Sequence, residues 1–238
     1  METQTNGNAE NGTRVAKKNV ENSSGDYHLK TFQSSLNLLS HTLIGIVVGI
    51  SLTFALRNGL PIGATPIHIV LCVLGYQLLM AQAILSLSPH NGWSLHLRLV
   101  DKRRAHWILQ ILGSGLAIAG SFVKIIDKTV HWNTLHGQFA LVALVFTVVS
   151  LVNGLTSLYA YEFRKFLPGK WSKITHICFG IVAFVASAIS LCYGFDKGFF
   201  KSWTGESVAY TIMAFTAAFT FSIIIAPFIT FVTKFKSN

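Results

Sequence analysis

Residues 105–126 read AHWILQILGSGLAIAGSFVKII, an apolar run that carries a histidine in its first turn. Lys124 is the one Lys, Arg, Asp or Glu in the run, and it lies near enough to the end to extend its ammonium group towards water. A helix needs about 20 mostly apolar residues to cross the hydrocarbon core of a bilayer. The run therefore predicts a membrane-spanning helix with His106 near one surface.

Runs of the same kind recur along the whole chain. Of the 238 residues, 51% are hydrophobic and only 12% are charged, which is about half the charged share of globular proteins. The pattern predicts an all-α bundle of six membrane-spanning helices. The five further runs are at about Leu38–Leu56, Ile67–Leu87, Leu135–Tyr159, Ile174–Tyr193 and Val208–Phe231.

The rest of the chain leaves no room for a second folded domain. Residues 1–36 are polar and rich in Asn, Ser, Thr and Gly, so we expect a disordered tail. Residues 37–233 form the membrane domain, and residues 234–238 form a short basic tail. This tail, Lys-Phe-Lys-Ser-Asn, is similar to the dilysine signal that returns membrane proteins to the endoplasmic reticulum. The alternative is that its lysines are only the basic residues that follow the last membrane-spanning helix.

The basic residues predict the orientation and argue against nucleic acid as a partner. The net charge is +10, but the bases lie in short loops beside the apolar runs, where they meet lipid headgroups. With the N-terminus in the cytosol, the bases on its side outnumber those opposite, so both termini are predicted to be cytosolic. The cytosolic set is Arg14, Lys17, Lys18, Lys30, Arg98, Lys102, Arg103, Arg104, Arg164, Lys165, Lys170, Lys173, Lys234 and Lys236, against Arg57, Lys124, Lys128, Lys197 and Lys201.

Four histidines begin four consecutive runs. Because successive helices cross in opposite directions, His68 and His136 share one depth, and His106 and His176 share the other. Two imidazoles facing each other in a bundle can ligate a haem iron from both sides. The chain has no Cys-x-x-Cys-His motif, so the groups would be two non-covalently bound haem b per chain.

Small residues on the histidine faces would leave space for a flat macrocycle. Positions four and seven residues after each histidine lie on its helix face, and all but Gln110 are small. The alternative is that small residues only allow the helices to touch. These positions are Cys72, Gly75, Gln110, Gly113, Ala140, Ala143, Gly180 and Ala183.

Other readings of the histidines stay open. His131, one turn before His136, is the rival ligand, although a loop residue in contact with water is the simpler interpretation. Histidines can also hydrogen-bond between helices in a haem-free scaffold, or line a zinc or copper pathway. The six runs hold no Asp or Glu, which disfavours a pump or transporter.

Several segments resemble the cytochrome b561 family of transmembrane reductases. They are Ser88-Pro89, Arg103-Arg104-Ala105-His106-Trp107-Ile108-Leu109-Gln110 and His136-Gly137-Gln138, together with the six-run plan and the four histidines. The resemblance covers about residues 38–236. It implies electron transfer from cytosolic ascorbate to monodehydroascorbate or ferric iron on the other side, and a homodimer. The expected location is the endoplasmic reticulum or a vesicle membrane.

The resemblance also implies which residues do what. His106 and His176 would hold the cytosolic haem, and His68 and His136 the outer one. The chain departs from better-known members, because Ala83–Ser88 lacks their basic residue and His136-Gly137-Gln138 replaces a His-Ser-Trp motif. A cationic funnel could attract the ascorbate anion instead; its candidates are Lys102, Arg103, Arg104, Lys170 and Lys173. A quinol-linked di-haem subunit is the alternative within the same chemistry.

Overall fold

The computed structural model describes the backbone of residues 3–159 and 169–236, and the side chains of residues 27–159 and 170–236. Within these ranges the regular structure is helical throughout. Six helices are long and apolar enough to cross a membrane, and each predicted run falls on one of them. The predicted all-α, six-helix architecture is confirmed.

The helices follow one another with short connections. Helix α2 changes from α-helical (Ala64–Cys72) to π-helical (Val73–Met80) and back (Ala81–Ser86). Helix α6 is a short segment between the last two spans. The elements are α1 (Thr3–Leu56), α2 (Ala64–Ser86), α3 (Leu99–Asp127), α4 (Leu135–Leu158), α5 (Gly169–Phe195), α6 (Gly198–Thr204) and α7 (Glu206–Lys236).

Two predicted boundaries differ from the structure. Helix α1 begins at Thr3, inside the residues assigned to a disordered tail, and the division of the chain into a tail and a membrane domain stays a prediction. Helix α7 likewise continues to Lys236. Residues 1 and 2 and the side chains of residues 3–26 lie outside the described part of the chain, as do Arg164 and Lys165 of the predicted cytosolic loop.

The bundle is organised as two antiparallel pairs. Helix α2 packs along α3, α4 packs to a similar extent along α5, and α7 packs against α5 and α1. The first pair is very close, since a Cβ atom added to Gly75 would lie 2.7 Å from the carbonyl oxygen of Gly113. Glycine at both positions therefore lets the two backbones touch.

The core lies among α1, α2, α5 and α7. Helices α3 and α4 instead expose rows of apolar side chains, such as Leu112 and Val145. Such a surface suits lipid, where apolar exposure costs nothing. The buried core includes Ile44, Val47, Val73, Tyr76, Met80, Phe184, Ile212 and Phe219.

Candidate functional site

His68 and His136 face each other at one end of the bundle. His68 lies in the first turns of α2 and His136 near the start of α4, and their ring centroids are 6.1 Å apart. The ring planes are nearly perpendicular, at 86°. We call these two residues the outer pair.

His106 and His176 form the same arrangement at the other end. Their ring centroids are 6.2 Å apart and their planes meet at 90°. His106 is in the second turn of α3 and His176 in the second turn of α5. These residues are the inner pair. The structure thus brings together the histidines that the alternating helix directions predicted to share a depth.

The spacing within each pair fits one metal ion between two imidazoles. A histidine–metal bond is about 2.0–2.1 Å, and a ring nitrogen lies about 1.1 Å from the ring centre, so two axial ligands place their centroids about 6.2–6.4 Å apart. Both measured separations are close to this value. Among the described residues there is no group of three or more metal-ligating side chains. Two protein ligands per site suit haem iron, whose equatorial ligands come from the porphyrin.

All four histidines are held in one tautomer. Each Nδ1–H donates to a backbone carbonyl of the neighbouring helix, so Nε2 is the nitrogen left to bind a metal. The bond joins the two helices of a pair, which fixes each ring against its own scaffold. The acceptors are Gly120 for His68 (2.9 Å), Ala83 for His106 (2.8 Å), Ser190 for His136 (2.8 Å) and Ser150 for His176 (3.0 Å).

Helices α4 and α5 use the same local motif to receive each other's histidine. Ser150 precedes Gly154 by four residues, as Ser190 precedes Gly194. The serine supplies the carbonyl, and the glycine one turn later leaves room for the ring. A Cβ atom added to Gly154 would lie 3.1 Å from Cε1 of His176, and one added to Gly194 would lie 3.5 Å from Cε1 of His136. We call this Ser-x-x-x-Gly arrangement the histidine cradle.

A cavity of about 310 Å³ contains the outer pair. Cys72, Ala140 and Ala143 line it, as expected of small residues beside a macrocycle. Gly75 and Gly113 instead contact each other between α2 and α3, so for these two the prediction of space for a ring is wrong and the helix-contact alternative is correct.

The mouth of this cavity is cationic. Lys124, Lys128 and Lys197 line it, and no carboxylate does so among the described residues. Lys124 is neutralised by Asp127 and also donates to Thr65. Burial, and then the nearby charge of Lys128, lowers the pKa of Lys197 below its usual value. Lys128 and Lys197 are therefore the positive charges that an anion at the mouth would meet.

The rings of His131 and His41 are not paired with another histidine but form hydrogen bonds to other groups. His131 Nε2–H donates to the carbonyl of Ile125 (2.8 Å), and its ring lies beside Trp132 at the mouth. His41 Nε2 is 2.7 Å from Oδ1 of Asn91, and its Nδ1 accepts from Gln82 (3.0 Å). His41 thereby ties α1 to the loop after α2, a role that the sequence did not reveal.

The predicted donor-binding bases have different environments. Lys102 is buried and donates to the carbonyl of Ser88 (3.1 Å), and Arg104 pairs with Asp101 (3.3 Å). Arg103, Lys170 and Lys173 are exposed. Arg103 and Lys173 also lie near enough to Lys234 for their charges to act on it. Each of these two bases precedes an inner-pair histidine by three residues.

Known proteins resemble this chain over the region of both pairs. A family model described as eukaryotic cytochrome b561 matches residues 67–201, more than half of the chain. The protein named transmembrane reductase CYB561D2 from Mus musculus is 31% identical over 147 residues, which are 58% of this chain and 64% of that protein. Its Homo sapiens namesake is 31% identical over 135 residues, 53% of this chain and 59% of that protein. The chain therefore spans less than two thirds of these curated relatives.

Proposed function

Because the chain belongs to the eukaryotic cytochrome b561 family, as its sequence predicted, we propose that it is a transmembrane reductase with two haem b groups. The observation that carries the proposal is the pair of matched histidine sites, one at each end of a membrane-spanning bundle. His68 and His136 would hold the outer haem, and His106 and His176 the inner one. When bound, haem iron supplies one-electron chemistry.

The protein's own residues prepare these sites in two ways. The carbonyl bonds to Nδ1 hold the four rings in place before any metal is present, which limits the reorganisation needed for binding and redox change. The surrounding apolar helices keep water away from the sites. Within the six described spans, acidic residues occur only near helix ends. They are Asp101 and Asp127 at the two ends of α3 and Glu206 at the start of α7. This composition suits electron transfer better than ion transport.

The proposed donor is ascorbate on the side of the inner pair. Ascorbate is an anion at neutral pH, so a cluster of positive charges raises its local concentration. Arg103 and Lys173 are exposed there and share their surroundings with Lys234. Lys170, which is also exposed, completes the proposed set. Lys102 and Arg104 have the partners described above and would act on the donor only through the electric field of their charges.

The proposed acceptor is monodehydroascorbate or a ferric chelate on the side of the outer pair. Both are anionic in their common forms, and Lys128 and Lys197 offer two positive charges at the cavity mouth. The same electrostatic argument therefore applies at both ends of the bundle. It also favours these acceptors over a neutral quinone.

The arrangement in the cell follows from the same proposal. Six spans among the described residues would leave both termini on one side, and the distribution of basic residues favours the cytosol for that side. We propose a homodimer in the endoplasmic reticulum or a vesicle membrane, with lipid headgroups and small-molecule substrates as the other partners.

Purified protein tests the proposal directly. A pyridine haemochrome assay should give two haem b per chain, extractable by acid acetone because no thioether bonds exist. Vesicles loaded with ascorbate and carrying the protein should then reduce ferric citrate added outside. One haem or none per chain would contradict the two-site model, and two haems without reduction would contradict the proposed substrates.

A further inference from the structure

Helix α2 departs from α-helical geometry between its two functional ends. The π-helical stretch Val73–Met80 lies after His68 and before Ala83, whose carbonyl holds His106. Such stretches are rare in proteins, but those that occur are often at functional sites. They turn side chains away from the α-helical register. Here the stretch contains two buried polar side chains, Tyr76 and Gln77.

The side-chain amide of Gln77 is hydrogen-bonded through its nitrogen but, among the described residues, not through its oxygen. Its side chain is 2% exposed, and its Nε2 donates to Oγ of Ser187 on α5 at 3.4 Å. Its Oε1 is buried and has no hydrogen-bond partner among the described residues. An unpaired amide oxygen inside a membrane bundle is costly, so a requirement other than packing is expected at this position.

The amide belongs to the cavity of the outer pair. Gln77, Ser187 and Tyr76 all line the cavity that contains His68 and His136. Gln77 comes nine positions after His68 along α2, about two turns of helix, so the amide lies deeper in the bundle than the histidine pair and the lysines of the mouth. Thr147 donates to the Tyr76 hydroxyl at 3.2 Å and fixes the neighbouring side chain.

We infer that Gln77 is a residue that sets the redox potential of the haem held by His68 and His136, an inference that rests on the proposed function. A porphyrin held in this cavity would offer the amide oxygen no hydrogen-bond donor, so the oxygen would act on the haem as a fixed partial negative charge. In surroundings of low dielectric constant such a dipole favours the ferric over the ferrous state. Gln77 therefore lowers the potential of the outer haem, while Lys128 and Lys197 act in the opposite direction.

Redox titration of the two haem components tests the inference without measuring activity. Gln77→Met keeps the shape and removes the dipole, so the outer component should titrate at a higher potential. We expect a change of several-fold in its ratio of reduced to oxidised haem at fixed potential, where tenfold equals about 59 mV for one electron. Ser187→Ala frees the amide to rotate and should give a smaller shift in the same direction.

Thr220→Val is the matched control. The Thr220 hydroxyl is also buried and without a partner among the described residues, but it does not line the cavity. Its replacement should leave both potentials unchanged. The His106→Ala variant, which retains only the outer component, assigns the two transitions.

The outcomes separate the inference from the proposed function. An upward shift confined to the outer component supports the inference. An unmoved outer component, or equal shifts of both, overturns it. If Gln77→Met fails to take up haem, the Ser187→Ala titration decides, with the unchanged inner component as evidence of correct folding. A wild-type protein without two haems overturns the proposed function and this inference with it.

Discussion

The four paired histidines, proposed to be haem ligands, form two separable pairs. His106→Ala and His176→Ala should lose the same haem component, and His68→Ala and His136→Ala should lose the other, because each pair is at one end of the bundle. Spectra and haem content of each purified variant measure this. His131→Ala should keep both components, since its ring donates to Ile125 instead. Loss of one component by both His68→Ala and His106→Ala would contradict the pairing.

The two histidine cradles differ in how much space they leave. An alanine Cβ at position 154 would press on the His176 ring at 3.1 Å, whereas at position 194 it would make an ordinary contact at 3.5 Å. Gly154→Ala should therefore displace the inner haem and destabilise the loaded protein by about 1–3 kcal/mol. Gly194→Ala should be tolerated. Haem content and thermal unfolding check the difference.

Gly115→Ala is the control for this pair of variants. It is also within a spanning helix, but an added Cβ there would meet nothing within 4 Å. It should leave haem binding intact. If all three alanine variants behaved alike, the cradles would have no special role.

At the scale of elements, we expect the loops at the cavity mouth to select among electron acceptors by their charge. Lys128→Gln with Lys197→Gln should slow reduction of ferricyanide, an anion, by about three- to tenfold at low salt. The same change should speed reduction of the cation hexaammineruthenium(III). Both effects should fade at high salt, because screening shortens the range of the charges. Stopped-flow traces of the reduced protein measure the rates.

Lys201 supplies the control and pH supplies a second check. Lys201 pairs with Asp196 and does not line the cavity, so Lys201→Gln should leave the preference for anions unchanged. The lowered pKa of Lys197 means that its charge is lost at a lower pH than for an ordinary lysine. The preference for anionic acceptors should therefore weaken as pH rises, and Lys197 should be the first of the two lysines to lose its charge. Equal rates for both acceptors in all variants would contradict a role for these lysines.

Some elements were predictable from the sequence and others were not. The depth of each histidine follows from its place at the start of a run and from the alternating direction of the helices, so the pairs could be predicted. The rotation of a helix about its axis is not fixed by the apolar pattern when all faces are apolar. That is why Gly75 and Gly113 were assigned to the wrong surface and why the π-helical turn at Gln77 was not foreseen.

The histidine cradles and the cationic mouth show a different limit. The Ser-x-x-x-Gly spacing is visible in both α4 and α5, and its repetition could have indicated a shared role. Lys128 and Lys197 are far apart in the chain, and only the folded loops bring them to one cavity. In sequence they read as ordinary residues at the ends of spans.

At the scale of the whole molecule, the orientation in the membrane would decide which of the two proposed haem sites faces which substrate. Asn11 and Asn22 lie in sequons on the N-terminal side, and the distribution of bases predicts that this side is cytosolic. Both asparagines should stay unmodified in cells, as measured by glycosidase treatment and gel mobility. An inserted sequon-bearing extension after Asn58, on the opposite side, should be glycosylated. Modification of Asn11 or Asn22 would reverse the orientation and exchange donor and acceptor sides.

The crossed imidazole planes have a magnetic consequence. In low-spin ferric haem, each axial ring plane singles out one of two iron d orbitals of equal energy. If the imidazole planes keep their angles of 86° and 90° when haem is bound, the two rings would raise different d orbitals. The two orbitals would then stay nearly equal in energy, and the unpaired electron would keep much orbital angular momentum. Electron paramagnetic resonance of the oxidised protein should therefore show strongly anisotropic low-field signals from both haems. A rhombic three-line spectrum would mean that the rings turn towards a common plane when the metal binds.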